Sequence, residues 1–404
     1  MIRLIHGSFP TLGKFPDQEV LTAGTASALA EILLKVQKRR APVRCHREWH
    51  VNSTICRLAW IVQVPSEEPL GDFEVELDAE TGIEISRKNH LFFHSGTGSV
   101  FEHHPLVASA SLASLPDLID ATLAGKYLRV IIEDGPGSEN RDSIHVYDPN
   151  HTHFDEVNMY AYICSIRDFY SRLGFSLLDQ QQIKAVVHYS RNFDNAFFSP
   201  YDNSLSFGDG SRFNDLAKEE SIAYHEFAHM ALNAIVCISY ERESGAIHEG
   251  QADYFAASHS NDPRIGEWAG AKSGLPYLRC LENTLHYPDD LEHEVHADGR
   301  IWGGTLWDIR KALGAEVANR LIHASHYSLE EGRPRFIDAA IAFFNADRDM
   351  YNGAHTPEIS RILQERGISI HAYENQFITG PQTRQQLKFI KVHSRDKDRD
   401  GIPA

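Results

Sequence analysis

The hydrophobic and polar positions at the start of the chain predict one helix followed by a hairpin. Over residues 17–40 apolar side chains recur at helical spacing, and the Lys-Arg-Arg run at the end of this stretch suits the negative end of a helix dipole. Over 57–64 and 73–77 apolar and polar residues alternate, which predicts two strands. The sequence Asp-Ala-Glu-Thr-Gly at 78–82 predicts a turn after the second strand.

The rest of the chain changes from a strand-rich stretch to a mainly helical one. Residues 88–150 carry breaks rich in glycine, proline and histidine between short apolar runs, which predicts a β-rich region. Helical spacing over 155–173 is followed by predicted strands at 183–189 and 204–207. Six further helices are then predicted, at 216–236, 246–259, 299–313, 315–326, 336–346 and 357–366.

Composition narrows the classes of partner. With 404 residues and 42% hydrophobic residues, the chain can form two or three packed cores. A net charge of -17 argues against nucleic acid or an anionic membrane surface, because there is no net positive field to attract either. Apolar runs such as 58–64 are far shorter than the roughly 20 residues that span a bilayer, and the first seven residues form no apolar signal segment. We therefore expect no membrane span and no secretory signal within this chain.

The chain contains 23 histidines, and this number indicates metal chemistry. His225-Glu226-Phe227-Ala228-His229 is an H-E-x-x-H motif in a segment with helical spacing. On a helix the two histidines lie one turn apart on the same face and can bind one metal, with Glu226 beside it as a base. The motif alone has a false-positive risk, so a third ligand is required.

A second segment supplies that third ligand. Glu249 lies 20 residues after His229, on a predicted helix, and Asp253 lies one turn further along. Two histidines, a glutamate and a water form the open four-coordinate arrangement of catalytic zinc. Asp253 is placed to accept a hydrogen bond from a ligand histidine and so to fix its tautomer.

The block from His225 to Asp253 resembles the metal centre of the thermolysin-type gluzincin peptidases, whose second motif also begins Glu-Ser-Gly-Ala-Ile. The resemblance implies that His225, His229 and Glu249 are zinc ligands and that Glu226 is the general base. It also implies that Tyr240 steadies the oxyanion. The aminopeptidase branch of these enzymes would place its glutamate one residue earlier, where this chain has His248.

Two further segments resemble substrate-binding parts of the same peptidases. The segment with Asn195 and Ala196 resembles the edge strand that holds substrate, with a turn at a strand end as the alternative. Arg279 matches an arginine that contacts the substrate carbonyl, with an ordinary surface salt bridge as the alternative. Ile222 and Leu278 would then line an apolar pocket for the residue after the scissile bond.

His296 opens a block, through Gly299 and Trp302, that resembles the H-x-x-G-x-x-W segment of fungalysin-type enzymes. The resemblance implies that His296 is the second oxyanion stabiliser; the alternative is an ordinary histidine before a core helix. The acidic residue that orients this histidine is left open among four neighbours. They are Asp290, Glu292, Glu294 and Asp298.

Zinc is the expected cofactor, and calcium is left open. Thermolysin-type enzymes have an acidic calcium ligand four residues before the first zinc histidine, where this chain has Ser221. The sequence Asp-Lys-Asp-Arg-Asp-Gly at 396–401 has the opening of a calcium loop but lacks the distal carboxylate, so a solvated tail is the alternative.

The resemblance implies an α+β fold with the two lobes of a thermolysin-like peptidase, one mixed and one helical, and an N-terminal prodomain-like domain. A hairpin ending in Asp-x-x-Thr-Gly also resembles the prodomains of these enzymes. Residues 96–99 are expected to form an exposed loop suited to nicking, and a permanent N-terminal domain is the alternative. The predicted divisions are 1–100 (prodomain-like α+β region), 101–150 (β-rich connecting region), 151–260 (catalytic lobe with zinc-binding helices), 261–378 (helical lobe) and 379–404 (charged tail).

The expected function is a zinc endopeptidase that hydrolyses internal peptide bonds with a water activated by Glu226 and favours hydrophobic residues after the scissile bond. A catalytically inactive zinc-binding or peptide-binding relic of the same fold is the alternative. Polypeptide substrates are the expected partners, and the oligomeric state is left open. The resemblance implies a secreted or cell-surface protein, while the missing signal segment favours a cytoplasmic one.

Overall fold

The computed structural model describes residues 21–51, 56–179 and 181–369; the predicted charged tail at 379–404 and the first four residues of the predicted helix at 17–40 lie outside these residues. Its helices are α1 Ala23–Leu34, α2 Thr152–Arg172, α3 Glu220–Ile235, α4 Arg242–Ser260, α5 Glu267–Ala271, α6 Val295–Leu313, α7 Ala315–His326, α8 Phe336–Tyr351 and α9 Thr356–Glu365. Its strands are β1 Lys38–Arg39, β2 Arg44–Val51, β3 Cys56–Glu68, β4 Gly71–Asp78, β5 Glu84–Asn89, β6 His94–Val100, β7 Ser111–Leu118, β8 Leu128–Ile132, β9 Ile144–His145, β10 Ile183–Val187, β11 Ala196–Ser199, β12 Ser204–Phe207, β13 Arg264–Ile265 and β14 Arg279–Cys280.

The N-terminal part is an antiparallel sheet with one helix packed on it. Strands β1, β3, β4 and β5 lie side by side, and β2 also pairs with β3. The predicted hairpin is confirmed by the antiparallel pairing of β3 with β4. The predicted turn after β4 is closed by Asp78, whose Oδ1 accepts hydrogen bonds from the backbone N–H groups of Glu80 and Thr81 at 3.1 and 2.9 Å. Helix α1 contributes Ala26, Ala30 and Leu34 to the small core beneath it.

The prediction that the first helix continues to residue 40 is wrong. Lys35 has a left-handed backbone with φ 54°, and its N–H caps the helix on the carbonyls of Glu31 and Ile32. The chain then turns into β1, so the Lys-Arg-Arg run lies partly in a strand rather than at a helix end. Ile32, one of the apolar residues at helical spacing in this stretch, is 70% exposed and so lies off the buried face of the helix.

Residues 96–99 do not form the predicted exposed loop. They lie in β6, which pairs antiparallel with β7 and parallel with β9. Gly98 packs so closely on α2 that an added Cβ would lie 2.3 Å from a methyl group of Val157. The irregular connection is instead at residues 90–93, between β5 and β6, where Phe92 is 85% exposed. The buried residues of the N-terminal core end at Ala79, and those of the main core begin at Val100.

A second sheet, with strand order β11, β12, β10 and β8, lies beside the helices that carry the site. Strands β8, β10 and β12 are parallel, while β11 runs antiparallel to β12 at one edge. The two strands predicted in this region are confirmed, and the first of them ends at Val187. Helices α2 and α3 pack on this sheet.

The helical part confirms the predicted helices, with ends that differ by a few residues. Helix α4 lies between α3 and α6. Its contact with α6 depends on Gly250, where an added Cβ would lie 2.6 Å from the carbonyl oxygen of Gly299 and 2.7 Å from the amide nitrogen of Gly303. This close approach sets the position of the preceding residue, Glu249.

Among the described residues, no helix has the length and apolar character needed to cross a bilayer.

Candidate metal centre

Two neighbouring helices bring three ligating side chains together. His225 and His229 project from the same face of α3, and Glu249 projects from α4. One atom from each lies within 4.8 Å of the other two, and all three residues are buried. Within the described ranges they form the one group of three or more His, Cys, Asp or Glu side chains close enough to share an ion.

The spacing of these atoms fits a zinc ion. His225 Nε2 lies 3.4 Å from Glu249 Oε2, and His229 Nε2 lies 3.3 Å from Glu249 Oε1. Two ligand atoms about 2.0–2.1 Å from a tetrahedral zinc are about 3.3–3.4 Å apart. Glu249 Oε2 is also buried without a hydrogen-bond partner, which is costly unless a cation satisfies it. The donor set and its unsatisfied oxygen therefore suit zinc.

Asp253 lies where the sequence placed it, one turn after Glu249 and beside His225. Its Oδ1 is 2.7 Å from His225 Nδ1, and its two oxygens accept hydrogen bonds from Arg279 Nε and Nη2, both at 2.7 Å. Burial alone would raise the pKa of Asp253, but Arg279 and then His225 lower it to about 2. The anionic carboxylate therefore accepts from His225 Nδ1 and leaves Nε2 facing Glu249.

The other histidine of the motif has a partner that the sequence did not indicate. His229 Nδ1 lies 2.6 Å from Nδ1 of His248, and both residues are buried. Burial, and then the neighbouring His229, lower the pKa of His248 to about 3. In the sequence, His248 served only to distinguish two branches of peptidases. Its position next to Glu249 was the signal that could have indicated this contact.

Tyr240 and His296 lie on either side of Glu249. The Tyr240 hydroxyl donates to Glu249 Oε1, and His296 Nε2 is 3.6 Å from Glu249 Oε2. Burial, followed by the charges of Glu249 and Glu226, raises the pKa of Tyr240, so it remains a donor. Glu226 itself is 6% exposed. The structure thus brings all three predicted catalytic residues to the same place.

Of the four acidic candidates for the partner of His296, the structure selects Glu294. Its Oε1 is 2.7 Å from His296 Nδ1, while its Oε2 accepts from the backbone N–H of Ala297 at 2.8 Å and caps α6. Asp298 instead accepts from the backbone N–H of Glu292.

The predicted substrate-binding residues lie in two places. Ala196 begins β11 at the sheet edge, paired with Phe207, and Asn195 just before it accepts from the N–H of Gly208. Arg279 is not a surface residue: its side chain is 15% exposed and holds Asp253.

Leu278 packs against Gly266, and Ile222 follows Ser221, the residue that contacts the Gly266 N–H. The Gly266 N–H donates to Ser221, the neighbour of Ile222, and an added Cβ at Gly266 would lie 2.6 Å from the Leu278 side chain. Both side chains pack with the main core.

The carboxylates near Ser221 already have protein partners. Glu219 accepts hydrogen bonds from Ser221 Oγ and from the backbone N–H of Ala269 at 3.1 and 2.8 Å. Glu220 Oε1 is 2.6 Å from His103 Nδ1, and its Oε2 accepts from Tyr224. These hydrogen bonds occupy the carboxylates next to Ser221, the position at which the resemblance left a calcium ligand open.

Comparison with known proteins agrees with this geometry. Residues 123–233 match the family described as thermolysin metallopeptidase, catalytic domain. These residues are similar to the catalytic domain of thermolysin-type metallopeptidases. The matched residues of this domain include the H-E-x-x-H helix, and Glu249 follows shortly after them.

Curated relatives share part of their length with this chain. Extracellular metalloproteinase 4 of Arthroderma otae is 27% identical over 218 residues, which are 43% of this chain and 32% of that protein. Bacillolysin of Bacillus amyloliquefaciens is 23% identical over 352 residues, 77% of this chain and 65% of that protein. The chain thus spans less than two thirds of the length of either relative.

A solved structure confirms the predicted α+β thermolysin-like fold. The precursor of protealysin, a metalloproteinase from Serratia proteamaculans, superimposes with a TM-score of 0.52 at 18% identity. The match covers 61% of this chain and 89% of that one.

Proposed function

We propose that this protein is a zinc endopeptidase with His225, His229 and Glu249 as the metal ligands. The observation that carries the proposal is the convergence of these three buried side chains at spacings that suit tetrahedral zinc, with one Glu249 oxygen otherwise unsatisfied. Glu226, Tyr240 and His296 surround the same position, which is more than a purely structural zinc site needs.

The residues around the ligands divide the reaction among them. Zinc supplies Lewis acidity that acidifies a water and polarises the scissile carbonyl. Glu226 accepts the proton of the attacking water and passes it to the departing amine. Tyr240 and His296 donate hydrogen bonds to the oxyanion as it forms, which is where such donors lower the barrier most.

The alternative is a relic that binds zinc or peptides without cutting them. Metal analysis combined with digestion of casein, with and without a chelator, distinguishes the two. The proposal requires about one zinc per chain and cleavage that the chelator abolishes and added zinc restores. Zinc without cleavage, in a folded chain freed of its N-terminal part, would establish the relic.

For the substrate, we propose an extended polypeptide that adds to the free edge of β11, with Asn195 and Ala196 making polar contacts. Arg279 faces the carbonyl on the leaving-group side. Ile222 and Leu278 provide an apolar wall for the side chain after the scissile bond. The new N-termini of digested peptides should therefore be mainly Leu, Phe or Ile, and a majority of charged N-termini would refute the pocket.

We propose further that the N-terminal sheet with α1 is a prodomain joined to the catalytic part by residues 90–93. It has its own core, and that connection is irregular, with His90 and Phe92 exposed. One of the relatives described above, from Arthroderma otae, is called an extracellular metalloproteinase, and we extend export to this chain as part of the same proposal.

A further inference from the structure

A short contact between two buried histidines links α4 to one of the proposed zinc ligands. His248 Nδ1 and His229 Nδ1 are 2.6 Å apart, with ring centroids 4.6 Å apart and ring planes at 49°. Two nitrogens at this distance share a single proton, because two N–H groups would repel each other and two lone pairs would form no bond. One histidine must donate and the other must accept.

The position of the metal site decides which histidine donates. His229 Nε2 is the atom that faces Glu249, at 3.3 Å from Oε1. An ion at the site takes the Nε2 lone pair, so the proton of this imidazole lies on Nδ1. That N–H points at His248 Nδ1, which therefore accepts, and His248 carries its own proton on Nε2.

We propose that His248 is a positioning residue that accepts the His229 Nδ1–H and so fixes the tautomer and ring orientation of this zinc ligand. The inference rests on the proposed ligand set. Its geometry comes from α4: neighbouring residues on a helix point about 100° apart, so Glu249 can be a ligand while His248 supports another ligand. One turn of α4 thus supplies both a metal ligand and the residue that orients another ligand.

The two histidine ligands are consequently held by different kinds of acceptor. His225 Nδ1 contacts the carboxylate of Asp253, an anion bound in turn by Arg279. His229 contacts a neutral imidazole. Because an anionic acceptor increases the basicity of a ligand imidazole more than a neutral one does, loss of His248 removes orientation rather than charge from the site.

The test compares two substitutions of nearly equal size. In His248→Asn the side-chain oxygen can occupy the place of Nδ1 and accept, whereas in His248→Leu a methyl group stands there. Zinc affinity is measured by competition with a chromophoric chelator in a Glu226→Gln background, so that the readout does not depend on peptidase activity. We expect His248→Leu to weaken zinc binding about 10- to 100-fold and His248→Asn to restore most of the loss.

Controls separate this inference from folding effects and from the proposed function. His259→Leu removes a histidine of the same helix that contacts Ser165 Oγ at 2.8 Å, and it should leave zinc affinity unchanged. Melting of the metal-free variants checks that each one is folded. Equal zinc affinity in His248→Leu and the parent, or equal losses in folded Leu and Asn variants, would overturn the positioning role. Unchanged affinity in Glu249→Ala would instead overturn the ligand set itself.

Discussion

Glu294 holds His296 through a 2.7 Å contact between its Oε1 and His296 Nδ1, which turns His296 Nε2 towards Glu249. The same carboxylate caps α6 with its other oxygen, so its position is fixed by the helix that follows. The histidine and its acidic partner are thus two residues apart on one helix start. A substitution of Glu294 should therefore lower the rate of the reaction separately from substrate binding.

Glu294→Gln should lower kcat about tenfold with little change in KM, because it weakens the orientation of an oxyanion donor and leaves substrate contacts in place. Steady-state kinetics on a short peptide measures both constants. Glu292→Gln is the matched control, since Glu292 pairs with Arg300 on the outside of α6 and should have little effect. A larger loss in the control would contradict the assignment.

Substitution of the proposed base, Glu226, and of the proposed ligand, Glu249, should affect the zinc content differently. Glu226→Gln should keep about one zinc per chain while peptide hydrolysis falls by several powers of ten. Glu249→Ala should lower zinc content and activity together. Metal analysis after dialysis, alongside peptide hydrolysis, measures both. Loss of zinc from the first variant would mean that Glu226 is a ligand rather than a base.

That His225, His229 and Glu249 lie close together could be predicted from the sequence, because a helix period and one spacing determine it. His225 and His229 need only an unbroken α3, and Glu249 needs only that α4 pack against it. The partner of His296 could not be chosen, because four carboxylates lay equally close in sequence. The choice depends on how the chain enters α6, where the Glu294 carboxylate receives the Ala297 N–H.

The errors in the N-terminal part have a similar physical origin. The glycines of 96–99 indicate a loop by composition, but here Gly98 allows β6 to touch α2. The end of α1 depends on the left-handed conformation of Lys35, a residue with no strong preference for it. Neither the close approach of β6 to α2 nor the capping geometry of Lys35 can be predicted from the local sequence.

Buried His323 should make stability depend on pH. It lies on α7, 4% exposed, and burial lowers its pKa to about 4. The unfolded chain takes up this proton below about pH 6.5 while the folded chain does not until about pH 4, so stability falls as the pH decreases through this window. At pH 5 the loss is about 2 kcal/mol. Urea unfolding at pH 7 and pH 5 should show a smaller difference for His323→Leu, and an unchanged difference would exclude this source.

Calcium should not stabilise the region around Ser221, because Glu219 and Glu220 already accept hydrogen bonds from protein groups. An ion at 100 times its Kd would raise the free energy of unfolding by about 2.7 kcal/mol. Thermal unfolding of calcium-free protein, with and without added calcium and with zinc held constant, should therefore give the same Tm. A clear increase in Tm would show that the carboxylates exchange their partners for calcium.

The connection at 90–93 should be the place where the chain cuts itself, if the proposed pocket and prodomain are both correct. Phe92 is a large apolar side chain, 85% exposed, in a stretch between two separate cores, so a cut before it would break neither sheet. Incubated parent protein should give a new N-terminus at Phe92, and Glu226→Gln should stay whole until parent enzyme is added. Phe92→Asp should slow this cut about tenfold or more, whereas Leu106→Asp, at another exposed apolar residue, should not. Fragments that begin within 96–99 would contradict the predicted cleavage site, because strand β6 must then open. Full activity on casein in a chain that stays uncut would contradict the prodomain, because the N-terminal part would then be a permanent domain.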